Sequence, residues 1–367
     1  MRKRTLSLLL CAVLSLSLLA GCGAEKNPSA DFDSVDEEYL EDAYSEDDTY
    51  TEDEEDDDYV DSMYEPTVRM HFLTGPLTLC PLQQLSPVYG HIVPTFVDTV
   101  EEAAQALLDG TADAATVPPI AAARLYHETN GAIKVVAVTN LSYTYLLEKG
   151  DTVHSIKDLK GKTVYAAGQG AEDEYLLEFL LKSNQMDPAD VDVQFMEPEE
   201  VMEIMASSDA AICMLPVPYS TELMMQDPEI QVAVSLAEAW QEQMPYPLPY
   251  GCIVARTDFI EKDENKTEGF VTAYGAELDS LEGEFSLITL EDYRNDTMEL
   301  VEKFGFPEDE ETVVNIITQS NVHFAEADEM QSMLQDFYDY VLYDYPEVIG
   351  GDSPAEDFYY STIWWRE

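Results

Sequence analysis

The sequence predicts an α/β protein built from two similar lobes. From residue 68 onwards, short β-rich runs alternate with amphipathic helical runs, which is typical of parallel βαβ units. A weak internal repeat supports the pair of lobes, because residues 101–118 and 199–216 share an acidic helix start, a turn with an aspartate, an Ala-Ala strand and a proline. Hydrophobic residues make up 46% of the chain, which is enough for a sizeable core.

The first lobe alternates strands with helices. Residues 68–73 alternate as a strand, which Gly75-Pro76 breaks. Residues 100–108 place their apolar side chains on one helical face, and Asp109-Gly110 ends that helix. The remaining predicted elements are strands at 92–97, 114–117 and 133–138 and a helix at 120–126.

The second lobe repeats this order. A strand at 163–167 runs into Gly168-Gln169-Gly170, and the helix at 172–182 carries an apolar stripe that includes Leu176 and Leu180. The elements predicted after it are strands at 191–195, 210–215 and 251–255 and a helix at 199–205. The rest of the chain is predicted to be mostly helical, at 268–278, 290–304, 310–318 and 328–343.

The N-terminus has the pattern of a secretory signal peptide, predicted over residues 1–21. Basic residues at 2–4 precede an apolar run at 6–19, which is shorter than the roughly 20 residues that span a membrane. Leu19-Ala20-Gly21-Cys22 resembles the lipobox of bacterial lipoproteins. This resemblance implies that Cys22 is lipidated, becomes the mature N-terminus and tethers the protein to the membrane outside the cytoplasm. The alternative is an ordinary signal peptide that contains a cysteine.

A strongly acidic segment follows, so that residues 22–66 comprise the lipidated cysteine and a linker. The segment has almost no aliphatic residues, and we predict that it is a disordered spacer. A weak divalent-cation site is the alternative, although its acids lack the spacing of an EF-hand loop. The whole chain has 75 acidic and 18 basic residues and a net charge of -57, which argues against nucleic acid as a partner.

Cysteines and histidines form no recognisable chemical motif. Cys80, Cys213 and Cys252 remain after the signal and the anchor, and we predict buried thiols, while a bridge between one pair stays open. The five histidines are scattered, and the chain contains no nucleophile elbow, His-Glu-x-x-His or P-loop. We therefore expect a binding protein without metal or other cofactor. A hydrolase on an α/β scaffold is an alternative of another class.

One segment carries a family resemblance. Residues Ser155-Ile156-Lys157-Asp158-Leu159-Lys160-Gly161-Lys162-Thr163-Val164 resemble the start of the second lobe in type 2 periplasmic binding proteins. With Asp109-Gly110 through Val117-Pro118 and the tail at 350–360, the chain is similar to the solute-binding lipoproteins of ABC importers. The nitrate/sulfonate/taurine and thiamine-precursor binding proteins are the most similar group. The resemblance covers residues 68–360.

This resemblance implies a type 2 periplasmic binding protein fold with two α/β lobes, two crossover strands and a helical C-terminal region. Lobe 1 is expected at 67–147 plus 248–367 and lobe 2 at 148–247, with crossovers near 142–148 and 245–251. A small-molecule solute would be captured between the lobes and delivered to an ABC permease. A surface sensory or interaction lipoprotein that reuses the fold without transport is the alternative.

Ligands of open α/β sheets lie beyond the carboxyl ends of the strands, and this rule selects four loops. The predicted ligand-binding residues in these loops are Gly75, Pro76, Leu77, Val117, Pro118, Gly168, Gln169, Gly170, Pro216, Val217 and Pro218. The glycines at 168 and 170 let a ligand approach the backbone, and the following helix offers free N–H groups. However, the acidic side chains of Glu172, Asp173 and Glu174 already lie at this helix start, where its N–H groups and positive dipole would favour a ligand. The alternative is therefore a capped helix start that binds no ligand.

Tyrosines near the cleft could stack on a flat or cationic ligand, and the candidates are Tyr143, Tyr145, Tyr219, Tyr246 and Tyr250. Of these, Tyr143, Tyr145 and Tyr250 complete the predicted site. The chain has 22 tyrosines, so the alternative is that these tyrosines lie near the cleft by chance and serve only in the core or on the surface. None of the selected loops contains the Arg or Lys that an oxyanion usually requires, and structural roles are favoured for the nearest candidates, Arg124 and Arg256. We therefore expect a neutral or cationic solute.

Overall fold

The computed structural model describes residues 68–74, 92–282 and 310–361. Several predictions fall outside these ranges: the signal peptide, Cys22, the acidic segment 22–66, the loop residues Gly75, Pro76 and Leu77, Cys80, and the helix at 290–304. Within the described ranges, no helix combines the length and the apolar character needed to cross a membrane.

Two mixed sheets form the frame of the protein. The strands of the first are β1 (Val68–Leu73), β2 (Ile92–Val97), β3 (Ala114–Val117), β4 (Ile133–Leu141), β10 (Pro249–Arg256) and β11 (Val322–Ala325), in the order β11-β4-β10-β3-β1-β2. The strands of the second are β5 (Thr144–Lys149), β6 (Thr163–Ala166), β7 (Asp192–Phe195), β8 (Ala211–Pro216) and β9 (Ile230–Ser235), in the order β7-β6-β8-β5-β9.

Helices follow most of these strands, as expected for βαβ units. They are α1 (Val100–Asp109), α2 (Pro119–Glu128), α3 (Glu172–Ser183), α4 (Pro198–Ser207), α5 (Tyr219–Gln226), α6 (Leu236–Gln241), α7 (Thr257–Lys262), α8 (Glu264–Glu282), α9 (Glu310–Gln319) and α10 (Ala327–Asp344).

The local sequence fixes where several of these helices begin and end. The Thr99 hydroxyl accepts the Glu102 N–H at the start of α1, and Gly110, with φ of 76°, ends that helix. Pro119 opens α2, where a proline costs no helical hydrogen bond.

The two sheets have the same strand plan. In each sheet, three strands pair in parallel, and the third pairs with an antiparallel strand that directly follows a passage between the lobes. That strand is β10 in the first sheet and β5 in the second. Helix α1 with β3 and helix α4 with β8 occupy matching places, so the repeat of 101–118 in 199–216 is confirmed. The predicted two-lobed α/β fold with two crossover strands and a helical C-terminal region is likewise confirmed.

The first passage between the sheets is short. β4 ends at Leu141 in the first sheet and β5 begins at Thr144 in the second. Residues 144–147, which the predicted boundary includes in lobe 1, therefore pair with β8 and β9 of the second sheet. The return passage runs from the end of α6 at Gln241 to the start of β10 at Pro249, and it overlaps the range 245–251 expected for the second crossover.

Helix α10 packs against both lobes. It contacts β4 and β10 of the first sheet, and its aromatic side chains meet those of α3 and α6 in the second lobe. The Trp240 ring lies 4.8 Å from Phe179 and 6.3 Å from Phe337, and the Phe179 ring lies 4.5 Å from Tyr340, measured between ring centroids. The Tyr340 hydroxyl also donates to the Tyr175 carbonyl oxygen at 2.6 Å. This aromatic contact forms one side of the interface between the lobes.

The two described cysteines are free and buried, as the sequence predicts. Cys213 lies in β8 and Cys252 in β10, and burial raises the pKa of the Cys213 thiol to about 12 and that of Cys252 further. Neither thiol is ionised at neutral pH, so neither is an activated nucleophile. In the part of the chain that the structure describes, no three His, Cys, Asp or Glu side chains are grouped as metal ligands.

We predict that Trp240→Ala lowers the free energy of unfolding by about 3–5 kcal/mol, because it removes a fully buried indole and leaves a cavity between the lobes. Chemical denaturation measures this change. Tyr343→Ala is the matched control on α10, since the Tyr343 side chain is 86% exposed, and it should change stability by less than about 0.5 kcal/mol. Equal effects of the two substitutions would contradict a central role for the aromatic contact.

Candidate functional site

Buried polar side chains collect where strands of the two sheets end. Such residues are informative, because apolar groups normally fill a protein interior and a buried polar group needs a hydrogen-bond partner within the protein. They are Thr116, Thr139, Asn140, Ser142, Thr144, Glu172, Asp173, Ser220, Thr221 and Ser320. Glu172, Asp173 and Thr221 of this set make hydrogen bonds between the lobes, so the interface is polar on this side, in contrast to the aromatic contact along α10.

The Asp173 carboxyl joins the lobes through Tyr250. Asp173 lies in the first turn of α3, and its Oδ1 accepts the Tyr250 hydroxyl of β10 at 2.5 Å. The Tyr250 oxygen also lies 3.4 Å from Thr144 Oγ1, at the start of β5. Both Asp173 and Tyr250 are buried, so this contact is shielded from water.

The neighbouring Glu172 makes a second contact between the lobes. Its Oε1 accepts the backbone N–H of Ile120, in the first turn of α2, at 3.2 Å. Glu172 is only 8% exposed although it is a charged residue at a helix start. We refer to Ile120, Glu172, Asp173 and Tyr250 as the interlobe junction.

Burial dominates the ionisation of both junction carboxyls. It raises the pKa of Glu172 to about 7, although the backbone N–H groups of Ile120 and of Glu172 itself lower it, and Arg124 lowers it through its field. Burial likewise raises the pKa of Asp173 to about 6, against the lowering by the Tyr250 and Thr144 hydroxyls. Among the described residues, no lysine or arginine forms an ion pair with either carboxyl.

Four of the predicted site residues meet at this junction. The Tyr143 and Tyr250 rings contact edge to face, with centroids 4.6 Å apart. The Val217 N–H donates to the Tyr143 carbonyl oxygen at 3.1 Å, and its side chain packs in the same apolar cluster. Gly168, with φ of 85°, lies so close to Asp173 that an added Cβ would be 3.3 Å from that side chain. The missing side chain of Gly168 therefore leaves space for the Asp173 carboxyl, whereas the sequence predicted that it leaves space for a ligand.

The other described residues of the predicted site surround this junction or lie apart from it. Val117, paired with Cys252, ends β3, and Pro118 precedes α2. Gln169 and Gly170 are exposed, and the Gly170 N–H donates to Glu174. Pro216 ends β8 opposite Thr144, and Pro218 precedes α5. Gly75, Pro76 and Leu77 lie outside the described residues.

Tyr145 belongs to a separate set of contacts between the lobes, centred on the end of α9. Its hydroxyl donates to the Gln319 carbonyl oxygen at 2.9 Å, and burial raises its pKa to about 12. Thr221 of α5 donates to the Gln319 side chain at 2.7 Å. The Asn321 amide donates to the Ser142 carbonyl oxygen in the first passage. Sequence reasoning did not identify Gln319 or Asn321, because both act on residues more than ninety positions away.

The two arginines have the structural environments that were favoured for them. Arg256 lies beside Asp113, at 3.6 Å, and beside Asp258, at 3.0 Å. Asp113 is also held by the Arg69 guanidinium at 2.6 Å, and these contacts keep its pKa low against its burial. Arg124 is partly exposed and faces Glu128 at 3.9 Å.

Sequence reasoning noted Glu172 and Asp173 only as acids in the field of their own helix. A stronger signal was available in the helical period. Glu172, Leu176 and Leu180 are spaced by four residues, so Glu172 extends the buried apolar face of α3. An acid that continues an apolar stripe is a candidate for a buried contact.

We predict that stability falls as the pH rises from about 5 to 8, with the junction carboxyls contributing to the fall. The native pKa values of about 7 and 6 exceed the reference values of 4.5 and 3.8, so the native state binds more protons in this range and loses that advantage as they dissociate. Each pKa unit corresponds to about 1.4 kcal/mol, so the combined effect is on the order of a few kcal/mol. Denaturant titrations of the parent and of a Glu172→Gln/Asp173→Asn variant measure it. A parent slope no steeper than that of the variant would contradict the assignment.

Comparison with solved structures places the fold among solute-binding proteins. An ABC transporter protein from Parabacteroides distasonis has a TM-score of 0.66 and 17% identity, with 81% of this chain and 99% of that chain covered. The periplasmic aliphatic sulphonate binding protein SsuA from Escherichia coli has a TM-score of 0.60 and 16% identity, covering 77% and 94%. The ligand-binding component of an ABC-type import system from Staphylococcus aureus has a TM-score of 0.57 and 13% identity, covering 81% and 97%. The predicted periplasmic binding protein fold is confirmed.

Comparison at the level of sequence gives a family. No curated protein matches the chain significantly. The family model described as menaquinone biosynthesis matches residues 70–282, which is more than half of the chain and includes the strands and helices that form the interlobe junction. The chain therefore belongs to the menaquinone biosynthesis family.

Proposed function

We propose that the protein is an extracytoplasmic solute-binding lipoprotein that captures a small organic molecule between its lobes and delivers it to an ABC importer. The observation that carries this proposal is the interlobe junction, where buried polar groups of both lobes meet at the strand ends. Closure of two lobes around a solute is a known motion of periplasmic binding proteins. The fold shared with solute-binding proteins of ABC importers supports the proposal.

The solute is proposed to be neutral or cationic. Two buried carboxyls face the interface, and the aromatic rings of Tyr143 and Tyr250 lie beside them. Carboxyls accept hydrogen bonds from amines and amides, and tyrosine rings favour flat or cationic groups. An anion in this position would meet Glu172 and Asp173 without a paired cation from the described residues.

Native mass spectrometry of protein purified under mild conditions would identify the retained solute. We predict that this solute raises the melting temperature, because a ligand at 100 times its dissociation constant adds about 2.7 kcal/mol of stability.

Tyr143→Ala should weaken binding of the solute about tenfold by removing one aromatic face, whereas Tyr246→Ala, at an exposed tyrosine, should leave binding unchanged. Calorimetric titration that showed tight taurine or nitrate binding, and none of pyrimidines or amines, would contradict the proposed ligand class.

A second candidate is a chemical step in menaquinone biosynthesis, which the family match favours. Under this alternative, the buried acids Glu172 and Asp173 would exchange protons with a small molecule, since raised pKa values suit general acid–base chemistry near neutral pH. The two candidates differ in the fate of the solute. Recovery of the bound molecule with unchanged mass supports a binding protein, and conversion to a product of different mass supports an enzyme.

Attachment to the membrane through lipid on Cys22 is part of the proposal, with residues 22–66 as a spacer. The lipobox-like sequence and the apolar run before it support this part. We predict that Cys22→Ala moves the protein from the membrane fraction of cells to the soluble extracytoplasmic fraction. Fractionation with immunoblotting measures the change, and Cys80→Ala should leave the protein at the membrane. A Cys22→Ala protein that stayed with the membrane would contradict the lipid tether.

A further inference from the structure

The Glu172 carboxyl lies between the starts of two helices, one in each lobe. It belongs to the first turn of α3, where its own backbone N–H stabilises it, and it accepts the Ile120 N–H from the first turn of α2 at 3.2 Å. The first N–H groups of a helix have no partner within the helix, and their dipoles favour a negatively charged group. Glu172 is therefore in the position that an anion would take at α2.

Helix α2 has no such group of its own. Pro118 precedes it and offers no side-chain hydrogen bond, and its first turn contains no acidic residue. The carboxyl is supplied instead by a residue 52 positions later in the chain, and that residue is more than nine-tenths buried. A buried carboxyl delivered from the opposite lobe is a specific contact, because leaving such a group without a partner would be costly.

We propose that Glu172 is a built-in ligand that holds the lobes together by occupying the start of α2, and that it thereby excludes anionic solutes from this position. The exclusion of anions rests on the proposed solute-binding function, while the role in holding the lobes does not. A sulfonate or carboxylate solute would have to displace Glu172 and would also approach Asp173. A neutral or cationic solute binds with both carboxyls in place.

Glu174 provides a matched control in the same helical turn. Its carboxyl accepts the Gly170 N–H at 2.6 Å, so it caps the start of α3 within its own lobe. Removing Glu174 therefore removes an acid from the same helix start without removing a contact between the lobes. The two positions separate a general effect of helix capping from the specific effect of Glu172 on α2.

Hydrogen–deuterium exchange of the full-length protein tests the contact directly. In Glu172→Ala, we expect the Ile120 amide to exchange about tenfold faster than in the parent, since it loses one buried hydrogen bond. In Glu174→Ala, the Ile120 amide should exchange as in the parent. Peptides from α4, which takes no part in the junction, report whether each variant is folded as a whole.

Rescue by acetate distinguishes a built-in ligand from a residue that only supports the fold. Sodium acetate should restore the slow exchange of Ile120 in Glu172→Ala in a saturable manner, because it supplies the missing carboxylate. The same concentration of acetamide should restore less, and neither additive should alter the parent. Parental exchange in Glu172→Ala, or fast exchange that acetate does not slow, would overturn the proposal.

Two further arms keep the test decisive. If Glu172→Ala does not fold, Glu172→Asp keeps the charge but withdraws the carboxyl from Ile120, and faster exchange supports the proposal while unchanged exchange overturns it. If no solute is ever found, a positive acetate rescue still establishes Glu172 as the contact between the lobes. A solute that binds while the Ile120 amide is indifferent to Glu172 would refute this inference and leave the proposed function intact.

Discussion

Two passages join the lobes, and each leads directly into a strand that takes an inner position in the sheet it enters; the rest of the structure depends on this constraint. β10 lies between β3 and β4, and β5 lies between β8 and β9. Because an inner strand pairs on both sides, its removal would break two ladders, and the first lobe therefore requires the chain that returns to it after the second lobe. The passages join the two sheets, the first of them through Ser142 and Tyr143, and they bring the starts of α2 and α3 into contact.

The interface between the lobes has two sides of different chemistry. Along α10, rings such as Trp240 and Phe337 are packed together, and exposing them to water would cost hydrophobic free energy. At the interlobe junction, Glu172 and Asp173 are buried against the preference of carboxyls for water, as their raised pKa values indicate. Hydration would favour these carboxyls if the lobes separated. Hydration would thus offset part of the cost of separating the lobes at the junction, whereas exposure of the rings along α10 has no such compensation.

Much of the fold could be predicted because local apolar patterns report burial. The alternation in β1 and the stripe on α3 follow from the periods of strand and helix, and both elements form as predicted. β9 and β11 were missed, because β9 has only one fully buried side chain and β11 is four residues long. Patterns this weak do not separate a strand from a loop.

The candidate site was predictable only in part. The rule that ligands lie at strand ends selected Gly168 and Val217, and the tyrosine argument selected Tyr143 and Tyr250, four residues that the structure brings together. Gln319 lies outside every loop that the rule selects, because it reaches Tyr145 and Thr221 from α9, much later in the chain. Helix and strand periodicity reports which side chains are buried, but it does not report which side chains meet across the interface between the lobes.

The sequence by itself determined the α/β class, the repeat of one lobe plan in the other, and the acids at the start of α3, because each depends on residues that are close together in the chain. Only the tertiary structure decided that Glu172 accepts its hydrogen bond from Ile120 and that Asp173 accepts one from Tyr250. These partners are separated by 52 and 77 positions. Their meeting depends on how two lobes are joined, and burial in that joint changes the ionisation of both carboxyls.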